Sequence, residues 1–136
     1  MIRGSCLCGA IRFEIDKVLA LTHCHCVHCR KLSGAAFATY AHVAQDKFRF
    51  LSGEDMMAEF ESSPGSRRKR CRVCGCPAPG KAPYLTTVSI PAGLLDDDPG
   101  VKPVLHVFAS SKASWWTIAD DLPRHEKWVP GYEPRT

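Results

Sequence analysis

The chain has 136 residues, the length of one ordinary domain, and a single domain over residues 1–136 is the expectation. Its hydrophobic content of 45% and charged content of 24% are those of a globular protein and exclude a disordered chain. A formal net charge of +4 is too small to argue for a nucleic-acid partner.

The predicted elements are nearly all strands, punctuated by Gly, Pro and Ser. Residues 10–15 alternate, which puts Ile11, Phe13 and Ile15 on one face. Residues 36–43 read as a second strand and 48–50 as a third, with a turn at Ser52-Gly53-Glu54. Residues 57–62 give a fourth, closed by Ser63-Pro64-Gly65, and 67–71 a fifth that leads into a cysteine turn. Residues 84–90, rich in β-branched side chains, are the strongest strand in the chain. An acidic loop follows over 93–100, with room for a helical turn, and 104–108 is the last strand. From Leu122 on, Pro123, Pro130 and Pro134 predict irregular structure. No segment carries a long 3.6-residue period. The predicted class is therefore mainly β: small antiparallel sheets with little helix.

Eight cysteines and six histidines are the compositional outlier. No apolar run near Met1 could serve as an export signal and none is long enough to cross a membrane, so the expected compartment is the reducing cytoplasm. Thiols there stay free or bind metal, which favours zinc over disulfides. The basic run Arg67-Arg68-Lys69-Arg70 reads as a solvated strand face rather than a nucleic-acid patch.

The cysteines form three groups: Cys6-Leu7-Cys8-Gly9, Cys24-His25-Cys26-Val27-His28-Cys29 and Cys71-Arg72-Val73-Cys74-Gly75-Cys76. Cys71-x-x-Cys74-Gly75 is a tight turn that aims two sulfurs at one tetrahedral ion, and Cys6 and Cys8 are the natural source of the other two. Such an S4 site carries a charge of about −2, which suits the nearby arginines. The middle group offers Cys24, Cys26 and Cys29, with no evident fourth cysteine except Cys76. Three protein ligands and one vacancy mark a catalytic rather than a structural zinc. His23, His25 and His28 flank it, each open to a role as ligand, orienting partner or acid–base, or to an ordinary surface role; His28 leads among them. Cys76 is expected outside both sites, as a small hydrophobe.

With these three groups the chain resembles the glutathione-dependent formaldehyde-activating enzyme family, whose domain centromere protein V shares. Further residues carry the likeness: Gly4-Ser5 before the first group, Arg30-Lys31-Leu32-Ser33-Gly34 after the second, then His106-Val107-Phe108, Ser110-Ser111-Lys112-Ala113-Ser114-Trp115-Trp116 and Asp121-Leu122-Pro123. The resemblance implies coiled antiparallel β-sheets around two zinc ions. Cys6, Cys8, Cys71 and Cys74 would hold the structural ion, and Cys24, Cys26 and Cys29 the catalytic one. It also implies a carbon–sulfur lyase that joins formaldehyde to glutathione. Arg70 stands where the family usually has an aromatic residue, and Cys76 where it has a small one.

A thiol bound at the vacancy would be a thiolate at neutral pH, and a carbonyl oxygen bound there would be polarised; the residues alone do not choose. A substrate with carboxylates would want Arg30, Lys31 or Lys112 nearby, with Arg30 the foremost. Trp115 and Trp116 are expected to pack in the core. Two other functions compete: a zinc enzyme whose bound water attacks a small electrophile, and a non-catalytic zinc module whose middle site is closed by a histidine.

Overall fold

In the computed structural model, residues 1–81 and 86–131 are described. Among these residues, ten strands build three sheets: β1 Ile2–Ser5, β2 Arg12–Ile15, β3 Ala20–Cys24, β4 Ala38–Ala44, β5 Phe48–Ser52, β6 Met57–Ser63, β7 Ser66–Cys71, β8 Gly80–Lys81, β9 Thr87–Pro91 and β10 Pro103–Val107. The sheets run β1-β2-β5, β10-β3-β4-β9-β8 and β6-β7. Among the described residues, helix is confined to α1, Val27–Ser33, and short 3-10 turns, one of them at Ala92–Leu94 where a helical turn had room. The fold is mainly β, as the punctuation of the sequence requires.

Alternation explains the packing. Ile11, Phe13 and Ile15 are all essentially inaccessible and form the main core with Leu21, Ala41, Val43, Val88 and Ile90. The turn read at Ser52-Gly53-Glu54 joins β5 to β6. The strand expected over 84–90 lies partly outside the described residues; its described end belongs to β9. Between Leu122 and Gly131 the described chain is irregular, apart from one isolated bridge at Arg124.

One pairing departs from the antiparallel expectation. β10 lies parallel to β3, with His106 opposite His23 and Val107 opposite Cys24. This brings chain from far down the sequence against the middle cysteine group. A second, smaller core forms there from Cys24, Cys29, Ala38 and Val107, with Cys26, Tyr40, Phe108 and Val129 packed against it. Each cysteine group therefore belongs to a core, and the second core is in large part sulfur.

Gly53 sits at φ +81°, and a Cβ there would collide with the Ala10 carbonyl oxygen and lie 2.7 Å from the Ile11 Cα. Both obstacles are backbone. Gly53→Ala is expected to lower unfolding free energy by about 2 kcal/mol or more, read by denaturant titration.

Candidate metal centres

Two turns of similar build face each other at the first group. The Gly9 N–H donates to the Cys6 carbonyl at 3.0 Å, and the Gly75 N–H donates to the Cys71 carbonyl at 2.9 Å. Both turns leave through a glycine at positive φ, +79° and +78°, where a side chain would be strained. Their tips, Leu7 and Val73, point to solvent while Cys6 and Cys71 are buried. The four sulfurs of Cys6, Cys8, Cys71 and Cys74 lie within 4.8 Å of one another. Two separations are 3.6 Å (Cys6–Cys8) and 3.8 Å (Cys8–Cys71). A tetrahedron with Zn–S bonds of ~2.3 Å needs sulfurs ~3.8 Å apart, so this donor set fits zinc. Backbone N–H groups of Cys76 and Cys8 hold the Cys74 thiol down to about 6, which favours the thiolate that binds metal.

Cys76 lies outside the four-sulfur group, half-buried rather than fully buried. Its sulfur accepts the Leu7 N–H at 3.4 Å, and its carbonyl accepts the Cys71 N–H at 2.8 Å, so it ties the two turns together from behind.

The second group is built by β3 and α1. Cys24 ends the strand, Cys26 caps the helix, and Cys29 lies one turn in. The Cys26 sulfur accepts the Cys29 N–H at 3.3 Å, and Gly34, left-handed at φ 66°, closes the other end. The expected loop is thus a short helix, and its first turn is what makes the Cys-x-x-Cys spacing converge. The three sulfurs lie within 4.8 Å of one another, and no histidine nitrogen joins them among the described residues. Either group can hold a metal ion, and soft thiolate donors suit zinc.

Charge is unevenly shared in the second group. Hydrogen bonds from the Cys24 and Cys29 thiols, the Cys29 N–H and the charge of Arg68 hold Cys26 down to about 2. Those same thiol contacts push Cys24 up. The Tyr40 hydroxyl donates to the Cys29 sulfur at 3.4 Å, and burial keeps it a phenol.

Arg68 was not foreseen. Strand alternation in β7 divides the basic run: Arg67 and Lys69 meet Glu59 at 2.9 and 3.6 Å, while Arg68 turns the other way. Its Nε donates to the Ser62 hydroxyl at 3.0 Å, and its half-buried charge acts on Cys26, Cys29 and Tyr40. The arginine thus serves the second group, whereas the sequence had suggested the first. The period of two within the predicted strand was the available signal.

The histidines divide. His28 is exposed on α1, and Arg30, half-buried on the same helix, has a buried Nε with no hydrogen-bond partner. His23 bonds Thr39 at 2.7 Å. His25 is fully buried, held at 2.8 Å from His106 Nδ1, and His106 Nε2 lies 3.0 Å from Asp120. Burial pulls the His25 imidazole down to about 4, so it is neutral at pH 7. The expected core packing of the tryptophans fails: Trp115 is 70% exposed and Trp116 41%. Residues 112–116 form turns outside the sheets, so neither ring has a sheet face to enter; Trp116 instead covers Phe37, ring centroids 5.9 Å apart.

The family model described as glutathione-dependent formaldehyde-activating enzyme matches residues 1–111. The chain belongs to this family. No curated protein matches it. Among solved structures, a crystal structure of a Rhodobacter sphaeroides protein is similar at 21% identity and a TM-score of 0.59, covering 74% of this chain and 91% of that one. At that identity the likeness speaks for the fold alone. None of the helices in the described residues is long and apolar enough to cross a membrane.

If the sulfurs divide as their positions indicate, Cys74→Ala removes one metal ion per chain, whereas Cys76→Ala removes none and costs about 1 kcal/mol or less. Elemental analysis of the purified variants, with their unfolding midpoints, checks both.

Proposed function

We propose that this protein is a zinc-dependent carbon–sulfur lyase that adds a thiol such as glutathione to formaldehyde or a related small aldehyde at the Cys24–Cys26–Cys29 group. The reading rests on one observation above all: three converging sulfurs joined, among the described residues, by no fourth Cys, His, Asp or Glu. Family membership gives the reaction class. Cys6, Cys8, Cys71 and Cys74 would hold a structural ion, and Cys24, Cys26 and Cys29 a catalytic one. Bound at the second group, zinc supplies a Lewis-acid centre with one exchangeable position.

The chain's own residues supply the rest. Arg68 presents a half-desolvated positive charge, which favours an anionic thiolate over a neutral ligand and suits a carboxylate of the thiol substrate. Arg30, with its unpartnered Nε, is the second carboxylate candidate, and His28 is the exposed acid–base candidate at the helix. Tyr40, by donating to Cys29, orients that sulfur. Phe37 and Trp116 give the neighbourhood an apolar wall. In the reaction a C–S bond forms between the thiolate and the aldehyde carbon, and the proton lost by the thiol ends on the former carbonyl oxygen. The cytoplasm, rich in small thiols, is the expected setting.

Mixing the protein with glutathione and formaldehyde and following the hydroxymethyl adduct by NMR tests the activity; a rate no faster than the spontaneous one would refute it. Cys26→Ser is expected to return the rate to the spontaneous level while retaining a tightly held ion and the β fold. Arg68→Gln should lower kcat/KM for glutathione by about 10-fold or more, as loss of a charge-assisted contact does. Wild-type turnover in Cys26→Ser would exclude this group as the reaction centre.

A further inference from the structure

The chain continues past residue 111, the end of the family match, and that continuation is tied to the metal loop. His106 N–H donates to the Pro123 carbonyl at 2.9 Å, His125 N–H returns a bond to His106 at 2.9 Å, and Phe108 N–H donates to Lys127 at 3.0 Å. The segment thereby lies along the open edge of β10. Phe108, the described non-glycine residue at positive φ (54°), stacks edge-on against Trp128 at 5.0 Å, and Val129 packs on the cysteine core. Strain of this kind persists only where the surroundings hold it.

From the same segment Asp120 reaches inward. Its carboxylate is fixed by the Leu122 N–H at 3.0 Å and receives His106 Nε2–H at 3.0 Å. With the His106 proton turned to the carboxylate on Nε2, His106 Nδ1 is the lone pair that accepts from His25 Nε2–H across 2.8 Å, so each ring proton faces an acceptor. His25 Nδ1 is left bare, and it is a buried nitrogen without a partner. His25 stands between Cys24 and Cys26, and its own N–H donates to the Val107 carbonyl at 3.0 Å. The loop that carries two sulfurs is thus pinned at one residue by backbone and side chain together.

We infer that Asp120 is a positioning residue for the second metal centre: by accepting from His106 it sets the His25 tautomer, and so fixes the Cys24–Cys26 loop in the geometry that lets three sulfurs converge. The inference rests on the zinc reading of that group, and it makes the segment beyond the family match part of the site.

The test is ring-nitrogen NMR of His25 and His106 in the full chain, with and without zinc, alongside zinc competition titrations of the parent, Asp120→Leu and Asp120→Asn. In the parent, His25 is expected protonated on Nε2 and bare on Nδ1. In Asp120→Leu the single tautomers give way to a mixture, and affinity for the weaker ion falls about 10- to 100-fold while the stronger ion stays. Asp120→Asn, which keeps an accepting oxygen, retains the tautomers and most of the affinity. A proton on His25 Nδ1 in the parent, unchanged tautomers or affinity in Asp120→Leu, or equal losses in both variants would overturn the inference. A parent that binds no second ion would refute the zinc reading separately, and the metal-free tautomers would still decide whether the brace exists.

Discussion

The convergence of sulfurs from distant parts of the chain is the constraint on which the rest depends. Cys6 and Cys8 meet Cys71 and Cys74 across more than sixty residues, and the sheet β1-β2-β5 and the hairpin β6-β7 take their places around that meeting. The other cross-links are weak by comparison. Arg3–Asp97 and Arg67–Glu59 are exposed pairs, each worth about 0–1 kcal/mol. A structural zinc in small domains contributes about 10–16 kcal/mol in apparent binding free energy. A modest core whose strands are mostly five residues or shorter gains more from one such ion than from all its surface pairs.

The two groups differ in what their surroundings do to charge. At the first, backbone N–H groups from both turns point at sulfur, an arrangement suited to a closed, inert site. At the second, a guanidinium, a phenol and a capped helix turn surround three thiols that already lean toward one thiolate. A metal with three thiolates has a net charge of about −1, and Arg68 offsets it, so the site as a whole can accept an anion. On the proposed reading, that difference adds to the difference in ligand number between the two groups.

Much of this was legible in the sequence, because its signals were local. Ile11, Phe13 and Ile15 alternate since one face of β2 is buried, and the Cys-x-x-Cys-Gly turn carries its geometry in its spacing. Spacing divided the sulfurs four and three, and the structure gathers Cys6, Cys8, Cys71 and Cys74 in one cluster and Cys24, Cys26 and Cys29 in another. What stayed hidden was non-local or short. β3, Ala20–Cys24, is too brief to stand out, and its parallel partner lies some eighty residues away. Helix α1 has only seven residues, less than any periodicity can reveal. Arg68 was concealed among like charges, since which side of a strand faces the site depends on its partner strand. Trp115 and Trp116 misled because size was taken for burial, whereas they sit exposed on turns outside the sheets.

The central claim is that one zinc is saturated by four cysteines while the other keeps a position for substrate. X-ray absorption at the zinc edge of fully loaded protein tests it most directly. The account predicts a mixed shell of sulfur with some lighter donor, which becomes sulfur-only once a mild chelator has withdrawn the weaker ion. A shell of four sulfurs at both ions from the outset, or cysteines joined as disulfides with no zinc bound, would contradict it.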